Sequence, residues 1–284
     1  MSTGGATATG TGGTGGAPST GAGGAGGSIN SGGGGAGVGG GGGAGGSNAI
    51  DGGSADGLAA GVGCAGKTYK LCEDFETGAV GAIPIGWTAL RGFSGQRGGI
   101  GLANDQFHSG SMAVKGESMS TGQDRIQKSL TALGATAAKH WGRIFYKVQS
   151  PAPKPKSGVI HITFTALEGA TENRVVDTVV STSGTHQWLF NIPDDSCCTS
   201  SPYNWTFDEA WHCAEWNVDV AAQSFRFFSD GKEVTQLAFT GKTNSKMSNY
   251  TSIGVGTIFY QTPLTPVVVW FDDLAIDDNQ IGCQ

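Results

Sequence analysis

Trp211-His-Cys-Ala-Glu-Trp-Asn-Val-Asp219, running on through Phe225-Arg-Phe-Phe-Ser-Asp-Gly231, decides the fold. Side chains alternate across a strand, so Trp211, Cys213, Glu215 and Asn217 fall on one face. His212, Ala214, Trp216 and Val218 fall on the other. A second strand, 224–229, ends in Asp230-Gly231, a dipeptide that supplies the positive φ of a tight turn. The pair reads as a hairpin, and a strand face bearing a carboxylate, an amide and a tryptophan is a place to look for function.

The same alternation recurs on both sides of this hairpin. Before it, strands are expected at 112–115, 125–130, 141–148, 159–167, 174–181 and 187–192, with a short one within 67–76. After it they are expected at 234–239, 252–260 and 267–276. Residues 98–107 and 194–210 read as loops, and 132–139 as the one helical turn. About ten short strands with polar turns and almost no helix describe an all-β sandwich or barrel.

Composition divides the chain. Residues 1–63 hold 29 glycines and no Lys or Arg, so they cannot bury enough apolar surface to offset chain entropy and are expected to form a disordered Gly-rich linker. Residues 64–284 are enough for one sizeable β domain. The formal charge of −6 comes without a basic stripe, which argues against nucleic acid as a partner. Lys154-Pro-Lys156 is a solvated loop. No apolar run is long enough for a transmembrane helix, and no signal peptide is visible.

All six cysteines, at 64, 72, 197, 198, 213 and 283, lie in the folded part and none forms a C-x-x-C pair. That pattern suits disulfides in an oxidising compartment better than zinc. With the Gly-rich segment, it points to a secreted or surface-tethered monomer. Six cysteines allow 15 pairings. Loop length favours Cys198 (or Cys197) with Cys213, and Cys72 or Cys64 with Cys283 would staple the ends. Asn204-Trp-Thr206 and Asn249-Tyr-Thr251 fit the glycosylation sequon.

Five motifs in order complete the reading: Cys72-Glu-Asp-Phe-Glu76, Gly86-Trp87, His108-Ser-Gly-Ser111, Trp211-x-Cys213-x-Glu215-Trp216 with Asp230-Gly231, and Trp270-Phe-Asp-Asp-Leu274. Over about 64–284 the chain resembles concanavalin A-like jelly rolls of the lectin/glucanase type, most of all a secreted group related to glucuronan lyases and cellulose-induced proteins. The resemblance implies a jelly-roll β-sandwich whose concave sheet grips a polysaccharide. The faces bearing Arg143 and Lys147, His161, and Glu215 and Asn217 would then line the groove.

A lyase acting on uronic acids needs a group to neutralise the carboxylate, a base for the C5 proton and an acid for the leaving oxygen. His161 is the candidate base, and Arg143 with Gln187 or Asn217 the candidate neutralisers. Tyr260 or Tyr146 is the candidate acid, although Tyr146 alternates away from Arg143. Glycoside hydrolysis is weaker, because Glu215 and Asp219 on one strand lie ~13 Å apart at ~3.3 Å per residue, too far for either paired-carboxylate geometry. Trp188, Trp205 and Trp216 are candidates either for stacking on sugar rings or for the core. The resemblance also implies a structural Ca²⁺ held by Glu76, Ser109 and Asp273 (or Asp272), hard oxygens from distant segments. The rival reading is a non-catalytic adhesin or structural module.

Overall fold

The computed structural model describes residues 63–91, 99–118, 121–194, 197 and 199–284; most of the Gly-rich linker and Cys198 fall outside them. Fifteen strands form among the described residues. The first half contributes β1 (Leu71–Glu73), β2 (Thr88–Arg91), β3 (Gly99–Ala103), β4 (Ala113–Ser118), β5 (Gly122–Ser129), β6 (Lys139–Val148) and β7 (Val159–Glu168). The second contributes β8 (Glu172–Ser181), β9 (His186–Asn191), β10 (Thr199–Ser200), β11 (Trp211–Asp219), β12 (Ser224–Ser229), β13 (Lys232–Glu233), β14 (Ser252–Phe259) and β15 (Val267–Asp277).

They pair into two antiparallel sheets. Sheet I runs β13-β12-β11-β6-β15-β4-β3, with β1 also on β15; sheet II runs β10-β9-β8-β7-β14-β5-β2. The inner faces meet in one core. Ile144, Tyr146, Ala214, Trp216, Phe227, Phe271 and Leu274 come from sheet I, and Ile160, Ile162, Phe164, Val176, Trp188 and Phe259 from sheet II. Trp216 sits opposite Gly142 in the β11–β6 register. A Cβ at Gly142 would lie 2.2 Å from the indole, so a glycine is required for that approach. The indole Nε1 donates to His140 Nε2 at 3.3 Å. Burial lowers the His140 pKa to about 4, which keeps that nitrogen an acceptor.

Three expectations need correction. Residues 234–239 form a 3₁₀ turn at Thr235–Leu237, because the chain there leaves the sheet edge to tuck Val234 and Leu237 into the core. Residues 99–103, expected as loop, pair with β4 as an edge strand. The disulfides are Cys64–Cys72 and Cys213–Cys283, with Cys197 a buried thiol. Cys213 points to the outer face of sheet I, where the C-terminal tail lies, and this excludes a bridge from it to Cys197 or Cys198.

Candidate functional site

The outer face of sheet II carries a cluster of buried charged side chains. On β7, Ile160, Ile162 and Phe164 face the core, which turns His161, Thr163 and Thr165 outward. On β8 the alternation breaks: Val175 and Val176 both enter the core, and the register against β9 shifts between Arg174 and Asp177. Arg174 and Asp177, three residues apart, therefore share the outer face.

His161 Nε2 lies 2.7 and 2.9 Å from the two oxygens of Asp177. Thr163 donates its hydroxyl to Asp177 Oδ1 at 2.6 Å. The Asp177 carboxylate is fully buried while the His161 side chain is 15% exposed, so the ring reaches solvent from a fixed base. Nε2 is thus the ring nitrogen committed to Asp177, and Nδ1 is left for other partners. Tyr260, just past β14, donates its backbone N–H to His161 O, and the two rings lie 4.5 Å apart. The Arg174 guanidinium covers the Tyr260 ring at 4.6 Å. Burial pushes the Tyr260 phenol up to about 12, so it stays protonated at neutral pH.

Ion pairs extend this group along β7 and β8. Arg174 Nε donates to Glu172 at 2.9 Å. Arg125, from β5, contacts Glu168 at 3.2 Å and Glu172 at 3.1 Å. Glu168 and Glu172 oppose each other in register. Burial and the neighbouring Glu172 carboxylate raise the Glu168 pKa. Gln187, half-buried, lies on the far side of β8: His161 pairs with Val179, and Val179 with Gln187.

Arg143, Lys147, Glu215 and Asn217 do not join this group. They project from the outer face of sheet I, so the expected single groove divides between two sheets. Glu215 is buried there and accepts from Gln280 Nε2, Ile281 N and Gly282 N at 3.0, 3.0 and 2.7 Å. Arg143, opposite it in register, donates to Gly282 O at 3.3 Å and lies over the Tyr69 ring. Lys147 donates to Gln106, and Asn217 to His140 O. Trp188 and Trp216 are core residues, 1% and 0% exposed. Trp205 is half-buried and packs at the core's margin. Tyr146 is buried. Arg174 and Asp177 escaped the sequence reading, and the doublet Val175-Val176 was the available signal of a bulge.

Asp273 and Glu76 each hydrogen-bond a different part of the 108–112 segment that carries Ser109, forming a clasp on the outer side of sheet I. Asp273 takes His108 Nδ1 at 2.6 Å on one oxygen and the Ser109 hydroxyl at 2.8 Å on the other. Glu76 accepts from Ser111 N, Ser111 Oγ and Met112 N. Gly63 fills the space beside Asp273 and Ser109, where a Cβ would come within 2.5 and 2.6 Å of their oxygens. The expected carboxylate ligands thus accept from protein donors in this arrangement. Among the described residues no three His, Cys, Asp or Glu side chains are grouped to hold a metal.

No protein-family model and no curated protein sequence matches the chain. Solved structures do. The chain is similar to "Cellulose induced protein, Cip1", with TM-score 0.53 and 17% identity over 76% of this chain and 100% of that one. The fold is a concanavalin A-like jelly roll. A looser likeness, to the botulinum neurotoxin serotype D/C binding domain, has TM-score 0.44 and 9% identity, covering 69% of this chain and 44% of that one. In this jelly roll the two outer faces are unequal: the termini cover part of sheet I, and His161 reaches solvent on sheet II. Among the described residues no helix is long and apolar enough to cross a membrane.

Proposed function

We propose that this protein recognises a polysaccharide on the outer face of sheet II and cleaves it there by β-elimination at a uronic acid. The observation that carries the reading is His161, fixed through Nε2 by buried Asp177 and ringed by Tyr260 and Arg174. Arg174 and the Gln187 amide neutralise the uronate carboxylate, which acidifies the C5 proton. His161 Nδ1 takes that proton. The electron pair forms the C4–C5 double bond as the C4–O bond breaks, and the Tyr260 phenol protonates the departing oxygen. Asp177 steadies the imidazolium that results. No oxidant, reductant or water is consumed.

Two disulfides support an oxidising, extracellular setting. The experiment is incubation with uronic-acid polymers, following ultraviolet absorbance of the unsaturated product. Product from the native protein and none from His161→Ala is expected. No product from either, with retention in polysaccharide-containing gels, would leave a non-catalytic carbohydrate-binding module. The pairing of Arg174 with Glu172 favours that second reading, since it leaves the guanidinium partly spent.

A further inference from the structure

The charged groups on this face are stacked in depth as well as along the strands. Arg125 and Arg174 lie at the bottom, with side chains 5% and 6% exposed. Glu168 and Glu172 lie above them at 23% and 14%. Arg125 can lie flat because Gly254 of β14 has no side chain: a Cβ there would come 3.1 Å from its Nη1. What solvent meets at this end of β7–β8 is therefore carboxylate, although the network holds as many guanidiniums. The other end differs. His161 is near the start of β7, and the nearby β8–β9 turn carries the stem of Lys154 against Gly184, with Lys154 itself exposed.

We infer that the face is divided along β7–β8, with the Arg125–Glu168–Glu172 network forming a subsite for an uncharged pyranose and the His161 end, where Arg174 lies over Tyr260, taking the uronate. The inference rests on the polysaccharide reading above. Planar carboxylates and guanidiniums side by side suit sugar hydroxyls, which donate to one and accept from the other. A second uronate at that position would face Glu168 and Glu172, and like charges in contact are strongly disfavoured. The bound polymer is then one in which a uronate is flanked by neutral sugars. A homopolyuronate is rejected.

Affinity electrophoresis tests this with the full chain in gels containing a neutral β-glucan, a sparsely substituted glucuronoxylan, or homopolyglucuronate. Retardation by glucuronoxylan at least about tenfold stronger than by homopolyglucuronate is expected, a difference of about 1.4 kcal/mol. Glu168→Gln, and more so Glu168→Gln with Glu172→Gln, should strengthen homopolyglucuronate binding toward the glucuronoxylan value. A melting scan confirms folding, and the single variant replaces the double if the double fails to fold. Equal retardation by both acidic polymers, or a folded variant with unchanged preference, overturns the division. Retardation in the expected order without product overturns only the elimination. Retardation by none of the three overturns both binding proposals.

Discussion

The outer faces of the two sheets start from the same kind of sequence and come to different ends. Each strand sets polar residues alternately against core residues, and each face holds buried charges: Arg143 and Glu215 on sheet I, Arg174 and Asp177 on sheet II. On sheet I the carboxylate is consumed by the chain itself, while Arg143 gives Nη1 to Gly282 O and keeps Nε and Nη2 buried without a hydrogen-bond partner among the described residues. The Glu215 carboxylate holds three donors of the C-terminal tail, and Cys213 fastens the same tail through Cys283. On sheet II Asp177 holds a histidine that still reaches solvent. A charged residue on a strand therefore says little about function until what covers it is known.

The sharpest way to break this contrast is to strike sheet I. Glu215→Ala leaves Arg143 without its register partner and three donors unpaired, and should cost about 3–5 kcal/mol in a denaturant titration. Loss of Cys213–Cys283, which closes 70 residues, should cost about 4 kcal/mol by loop entropy. Neither change touches the His161 group, so the folded fraction should keep its polysaccharide binding. On sheet II the order reverses. His161→Ala should abolish product formation and, because it leaves the buried Asp177 carboxylate with the Thr163 hydroxyl as its remaining side-chain donor, should cost about 1–3 kcal/mol, as read by the melting midpoint.

A smaller effect belongs to neither face. His212 lies between Asp230 and Asp208 at 2.9 and 2.7 Å, and their hydrogen bonds raise its pKa to about 9. Its folded value stands above the unfolded one of about 6.5, so its stabilisation is complete below pH 6.5 and lost as pH rises toward 9. Both aspartates are half exposed or more, and solvent screening limits the loss to about 1–2 kcal/mol. His212→Gln should flatten that limb of a melting-against-pH curve. The acid limb runs the other way. Burial, with the neighbouring His212 charge, lowers His186 to about 3, so its contribution is present above pH 6.5 and lost as pH falls below it. The smallest expected effect is that of calcium: with clasp oxygens already bonded, the midpoint should be the same with chelator and with added Ca²⁺. A rise with Ca²⁺ would show that the clasp opens to bind it.

Much of the fold was legible in the sequence, because strict alternation survives in β6, β11 and the first half of β7 and assigns each residue there its face. Alternation does not say which sheet a strand joins. That is why Arg143 and His161 were expected together although β6 and β7, consecutive in the chain, cross from sheet I to sheet II. It also fails at bulges. Counting by twos from Arg174 sends Asp177 to the core, and the shift between Asp272 and Ala275 disturbs the face assignment near the clasp. The disulfides were illegible for another reason: Cys283 meets Cys213 only after the tail has crossed a sheet whose outer face cannot be read from spacing. His161 and Gln187 share an outer face as alternation predicts, because the β7–β8–β9 register is regular through Val179.

The clasp at Gly63 and the bridge at Cys283 have a practical consequence. Both ends of the described chain are fastened on the outer side of sheet I, Gly63 against Asp273 and Cys283 against Cys213. A support or fused partner joined directly before Gly63 or just after Cys283 therefore departs from the back of the sandwich. The molecule can be held by two independent handles while the surface bearing His161 stays open to a long, stiff ligand.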